Sequence, residues 1–266
     1  MSGVRWKAVL LLVGGLLALE GGAPLSSGAQ TPPAPPAGQV NQIESVTLAH
    51  GVPPTSLFGR DLLKPIDPST TFVNTDVPYA IVRIKGLAQT TTVTLKLTDP
   101  TGASYTVQSP IPHKGNPKEF DFAAPLYILG TDLEAHTGTW HLQVLVNGAA
   151  ASDETFQWQP ATSADLAKIK DAVSASPLVA DLHWRYGAAL ALLGHSSEAI
   201  GELQNAIRLD PNYALFYITL GRVYQRENDA ADATQQFQKA LNVHGSAYDV
   251  VFEGWARAGL AKVQGH

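Results

Sequence analysis

The sequence predicts two parts: an antiparallel all-β sandwich followed by an all-α stack of helical hairpins. Three observations predict it. Apolar residues alternate with polar ones from about Val40 to Pro160, the period-two pattern of strands with one buried face. After Pro160 the period lengthens to that of helices, and from Pro177 to about Gly245 the chain repeats itself at a step of 34 residues. Turn residues punctuate both regions at the spacing these elements need.

The β part is clearest in its middle and at its end. Val93, Leu95 and Leu97 alternate with Thr92, Thr94 and Lys96. Asp99-Pro100-Thr101-Gly102 then turns the chain toward Tyr105 and Val107, with proline fixing φ and glycine accepting φ > 0. Trp140, Leu142, Val144 and Val146 form a second alternating run, ended by Asn147-Gly148. That dipeptide is the strongest short hairpin signal, because a type I′ turn needs φ > 0 at both central residues. Phe156 and Trp158 close the returning strand. Weaker strands are expected near Ser45–Leu48, Thr71–Val73, Tyr79–Lys85, Phe120–Phe122 and Leu126–Leu129. Short strands with frequent turns and no helical period between them argue for a sandwich. The closing GTWHLQVLVNG…FQW resembles the last hairpin of immunoglobulin-like domains found in many exported bacterial proteins, a resemblance that implies a fold and no activity.

Gln159-Pro160-Ala161-Thr162 marks the boundary, where proline stops a strand and Thr162 or Ser163 can cap a helix. So short a linker leads us to expect that the two parts touch. The helix from Ser163 ends before Pro177, since a residue preceding proline disfavours the α region. Within the repeat, Gly187 recurs as Gly221, Leu190 as Tyr224, Ala199 as Ala233, Leu203 as Phe237 and Ala206 as Ala240. A fixed period of this length is the mark of stacked helical hairpins. The copies HWRYGAALALLGHSSEAIGELQNAIRLDP and YITLGRVYQRENDAADATQQFQKALNVHG resemble the tetratricopeptide repeat over most of the last hundred residues. Small residues stand where helices cross, bulky ones fill the space between, and Gly194 and Asn228 end first helices. His183 departs from the family's aromatic, and Gly245 from its closing proline. Phe252, Trp255 and Ala256 mark the opening helix of a third unit or a cap. With the half unit before Pro177 and two full units, the stack amounts to about three repeats, near the minimum for such arrays.

The resemblance implies a protein-binding scaffold whose first helices line a concave groove for a protein or peptide ligand. Helical spacing from the crossing residues puts Asp181, Trp184, Ala188 and Leu192 on that side, followed by Leu215, Ile218, Arg222, Gln225 and Arg226. Of these, Trp184, Leu215, Ile218, Arg222 and Arg226 are the candidate partner-binding residues, Trp and Arg being the types most enriched at interface hot spots. The competing role for Trp184 is packing against the neighbouring part of the chain. Family members that clamp a terminal carboxylate use Lys and Asn where Trp184 and Ala188 stand here, so that mode is not supported.

Nothing in the sequence carries a catalytic motif, and we expect a non-catalytic protein with no cofactor and no metal. The eight histidines show no metal-ligand spacing and there is no cysteine. Gly194-His195-Ser196-Ser197-Glu198 lacks the second glycine and the strand-to-helix turn of a nucleophile elbow. A formal net charge of −5 with only 15% charged residues gives no basic footprint for nucleic acid. The alternative function is carbohydrate binding through the sandwich, with Trp140, Trp158 or Tyr105 stacking on sugar.

The organisation expected is therefore a signal peptide over residues 1–29, a proline-rich linker over 30–39, the sandwich over 40–160 and the repeats over 162–266. Arg5 and Lys7 precede an apolar run from Ala8 to Leu19, and Ser27-Gly28-Ala29 offers a cleavage point. That run of 12 residues is well short of the ~20 that cross a bilayer core, so no membrane segment is expected after cleavage. Four prolines within Thr31–Gly38 favour an extended spacer. The expected location is periplasmic or extracellular.

Overall fold

The computed structural model describes residues 43–52, 58–59, 64–85, 92–109, 119–246 and 248–265. The expected signal segment and proline-rich stretch lie outside the described residues. Among the described residues ten strands come first, and they form two five-stranded sheets. One sheet holds β1 (Ile43–Gly51), β2 (Phe58–Gly59), β3 (Ile66–Pro68), β5 (Tyr79–Lys85) and β8 (Glu119–Pro125) in the order β2-β8-β5-β1-β3. The other holds β4 (Thr71–Val73), β6 (Val93–Thr98), β7 (Ser104–Ser109), β9 (Gly138–Val146) and β10 (Ala149–Gln159) in the order β4-β10-β9-β6-β7.

The alternation read in the sequence is what seals these sheets together. Leu48, Val82 and Ile84 of the first sheet share one core with Val93, Leu95, Leu97, Leu142, Val144 and Phe156 of the second. Trp140 and Trp158 lie at its centre with 0% and 1% of their surface exposed. Their indole N–H groups donate to the carbonyls of His136 and Glu134 at 2.8 and 3.0 Å, so neither ring is left with an unmet polar atom. The hairpin turn at Asn147-Gly148 has φ of 51° and 81°, the left-handed pair that a type I′ turn requires.

Two expectations are corrected here. The sandwich is not wholly antiparallel, because β4 pairs parallel with β10 at Phe72 opposite Trp158. The apolar stretch Leu126–Leu129 is not a strand either. It leaves β8 and enters a loop whose Thr131 hydroxyl donates to the Ile128 carbonyl, and its side chains divide, Leu126 and Ile128 joining the sandwich core while Tyr127 and Leu129 join the helical one.

Among the described residues six helices follow: α1 (Ser163–Ala175), α2 (Ala180–Leu192), α3 (Ser196–Leu209), α4 (Ala214–Arg226), α5 (Ala230–Leu241) and α6 (Asp249–Gln264). The crossing glycines explain their close approach. A Cβ on Gly187 would stand 2.8 Å from Leu203 Cγ, and one on Gly221 would stand 2.9 Å from the Phe237 ring. The Phe237 ring also meets Gly259, where a Cβ would come to 2.4 Å. The crossing residue of the last helix therefore includes a glycine three positions beyond Ala256. Gly194 and Asn228 take φ of 87° and 61° at the hairpin turns. Strands and helices belong to one compact unit, Val40–His266.

The first helix starts at a reciprocal cap. The Asp165 carboxylate accepts from the Thr162 amide at 3.0 Å and from its hydroxyl at 2.7 Å. These bonds, with Lys168, hold the Asp165 carboxyl down at about 2. A depressed acid contributes stability above its unfolded value and loses it as pH falls. Asp165→Ala should cost about 1 kcal/mol, typical of a lost helix cap, and lower the melting temperature by about 2–4 °C at neutral pH. Parallel melts of wild type and variant should converge as the pH drops below about 4, where the unfolded carboxylate titrates.

Candidate functional site

The face formed by α2, α4 and α6 is the one expected to bind a partner, and it is filled by the chain itself. The loop between β8 and β9, residues 126–137, lies against it. Tyr127 and Leu129 belong to the same buried cluster as Trp184, Leu215, Ile218 and Phe252. The Tyr127 ring meets Trp184 edge-on at 5.9 Å, Tyr248 at 5.1 Å and Phe252 at 5.9 Å. Its hydroxyl lies 2.6 Å from that of Tyr213. Burial pushes the Tyr127 hydroxyl well up, and the same cause lifts Tyr213 to about 12. Both phenols therefore act here as neutral hydrogen-bonding groups.

Gly130 sits at the deepest point, with φ of 76°. A Cβ there would come within 2.6 Å of Thr219 Oγ1 and 3.3 Å of Trp184 Cζ2. Only glycine meets both the left-handed backbone and the close approach. The carbonyl of Gly130 accepts from Arg222 at 2.8 Å. Its amide donates at 2.8 Å to Glu134, whose other carboxylate oxygen binds Arg226 at 2.7 Å. Asp132 bridges Arg222 at 3.2 Å and Lys262 at 2.6 Å. Burial raises Glu134 despite Arg226, and it lowers Arg222 despite Asp132 and Glu134. Asp132, less deeply placed, is held below its ordinary value by Arg222 and Lys262 against the effect of burial. The sandwich's own side chains thus supply the anions that the helical cations face.

Outlying contacts widen the seam. Tyr105 of β7 donates to the Tyr127 carbonyl at 3.1 Å and meets Trp255 edge-on at 5.4 Å. Tyr248 donates to the Pro125 carbonyl at 2.9 Å.

The predicted site residues can now be placed. Trp184, Leu215 and Ile218 have no exposed surface and Arg222 has 4%. The Trp184 indole donates to Thr219 Oγ1 at 2.9 Å, inside the protein. These four are corrected from groove-lining to interior positions, because the loop covers the face on which they lie. Arg226 keeps 43% of its side chain exposed while bound to Glu134. Asp181 is exposed, Ala188 is buried, and Leu192 and Gln225 are half-buried. Sequence reasoning did not single out Gly130, Asp132 and Glu134. The signal available was the run LYILGTDLEAHTG, whose alternation breaks while its apolar content persists.

No family model matches the chain, and no curated protein matches it. Solved structures similar to the helical part include tetratricopeptide proteins. One is the TPR2B domain–pHsp70 complex of yeast Sti1, at 22% identity and TM-score 0.34 over 38% of this chain and 80% of that one. Another is a thermophilic TPR protein of Thermus thermophilus, at 27% identity and TM-score 0.32 over 36% of this chain and 47% of that one. An immunoglobulin-like protein of Pseudomonas aeruginosa is similar at 15% identity and TM-score 0.28, over 44% of this chain and 95% of that one. At such TM-scores the likeness fixes neither ligand nor role.

Proposed function

We propose that the protein is an exported, non-catalytic interaction scaffold that meets its partner on the outer faces of the helical stack rather than in the groove. Export rests on Arg5, Lys7 and the apolar run to Leu19. The immunoglobulin-like reading of the sandwich rests on the closing hairpin sequence. The observation that carries the scaffold reading is the filled groove. A repeat stack that already holds an internal segment with matched charges has its surface for others elsewhere. The loop gives the sandwich a physical role as the piece that covers and braces the helices. Carbohydrate binding loses the residues on which it stood: Trp140 and Trp158 are core, and Tyr105 is packed on Trp255.

Photo-crosslinking in the native host tests this reading. A photoreactive residue replaces Leu178, Gln204, Gln235 or Val250, all exposed on the helical part, or Asp132 beside the seam. Discrete protein adducts should form at one or more of the four outer positions. Adducts at Asp132 alone would put the partner at the seam instead, and silence at all four outer positions would overturn the proposal.

A further inference from the structure

A cavity of about 430 Å³ opens beside the edge of the sandwich, among β1, β4, α1 and α2. This volume lies within the range of small-ligand sites. Its floor is apolar, from Phe72, Ile169 and Leu182, and its charged groups are Asp67, Asp76, Asp165, Lys168, Arg185 and the titratable His50. Most of these are already occupied. Asp165 holds Lys168 at 3.0 Å and closes the cap of α1. His50 faces Asp67 at 3.2 Å and Asp76 at 3.4 Å.

Arg185 is the exception. Its Nε is buried with no hydrogen-bond partner. The carboxylate oxygen paired with it, Asp76 Oδ1, stands 4.0 Å from Nη2, beyond hydrogen-bonding reach. Asp76 is fixed from its other side, where Oδ2 accepts the Val73 amide at 2.9 Å. A fixed anion and an under-used guanidinium therefore line one cavity, close together but not bonded. Buried donors are nearly always satisfied, so such a group calls for an acceptor.

We infer that this cavity binds a free α-amino acid with an apolar side chain. Opposite charges carried on a single carbon match the Asp76–Arg185 spacing. The ligand carboxylate takes the guanidinium fork, the geometry that guanidinium groups favour. The ammonium faces Asp76, and the side chain covers Phe72, Ile169 and Leu182. A simple anion fits less well, because Asp76 would repel it, and a simple cation would meet Arg185. This inference does not rest on the scaffold reading and can fail or succeed apart from it.

Calorimetric titration of the full-length protein tests it with L-leucine and L-phenylalanine. L-leucinamide and 4-methylpentanoate serve as half-ligands lacking one charge each. At least one amino acid should bind saturably with Kd below about 1 mM, and both half-ligands should bind at least about tenfold weaker, the loss expected when a charged partner is left unmatched. Arg185→Gln and Asp76→Asn should each lose that binding with little change in melting. Should Arg185→Gln fail to fold, Arg185→Lys keeps the charge without the fork and should still weaken binding. No saturable heat with either amino acid, half-ligands as tight as the parent, or unchanged binding in the variants would overturn the inference and leave the cavity as a water-filled crevice.

Discussion

Trp184→Ala should destabilise the protein by about 3–5 kcal/mol, the range for truncating a large buried aromatic. The indole has no exposed surface, meets Tyr127 edge-on and stacks near Phe216 at 6.3 Å, and satisfies its N–H through Thr219. Removing it opens a void at the point where sandwich and helices share one core. It also deprives Thr219 of a donor at a position pressed against Gly130. With about 2–4 °C per kcal/mol for a unit of this size, the melting temperature should fall by about 6–20 °C. Had the indole lined an open groove, the same change would have cost affinity and spared stability. Thermal melts of Trp184→Ala and Trp184→Phe, followed by far-ultraviolet circular dichroism, decide the matter. Phenylalanine restores part of the packing and should recover part of the loss. A melting temperature within a few degrees of wild type for the alanine variant would mean that the loop does not seat as described.

Where the sequence was legible, short-range physics decided the outcome. Strand alternation in Val93–Leu97 and Trp140–Val146 needs only a period of two and a dry neighbour, and those runs do form strands facing one core. Asn147-Gly148 and Gly194 declare their own backbone geometry. The spacing of Gly187 and Gly221 announces that something bulky crosses there, and Leu203 and Phe237 do.

The groove was misread because helical periodicity reports that a face is apolar without reporting what covers it. Trp184, Leu215 and Ile218 look alike in the sequence whether a partner or a loop of the same chain lies over them. The pairings that settle it, such as Arg222 with Gly130 and Arg226 with Glu134, are each 92 residues apart. No local pattern carries that distance. Leu126–Leu129 misled for the same reason: Leu126 and Ile128 face the sandwich while Tyr127 and Leu129 face helices that begin far downstream, so it alternates like a strand without being one.

Glu134→Ala is the second change expected to be severe, at about 2–4 kcal/mol, chiefly the cost of leaving the buried Gly130 amide unmet, since half-exposed Arg226 can turn to water. One carboxylate oxygen accepts the Gly130 amide and the other holds Arg226. Its loss leaves a buried N–H unmet and frees the loop at its deepest turn. Glu134→Gln keeps an acceptor of similar shape and should cost less, about 1–2 kcal/mol, near the worth of one hydrogen bond to a charged group. The two variants together separate the role of the acceptor from that of the charge.

The pH dependence separates them further. Burial raises the Glu134 carboxyl above its ordinary value even with Arg226 beside it. An acid raised in the folded state contributes stability that is complete below its unfolded value, about 4.3, and that is lost as the pH rises through its folded value. The gap between wild type and Glu134→Gln should therefore be widest in mild acid and narrow toward neutrality. Asp132 is depressed by Arg222 and Lys262, so its share runs the other way, present at neutral pH and lost as the pH falls. Urea denaturation of wild type, Glu134→Gln and Asp132→Asn from about pH 2 to 7 should show the Asp132 gap closing below about 4 and the Glu134 gap narrowing above about 4.3, two slopes of opposite sign. If both gaps move in the same direction with pH, the two carboxylates do not sit in the unequal environments that the seam gives them.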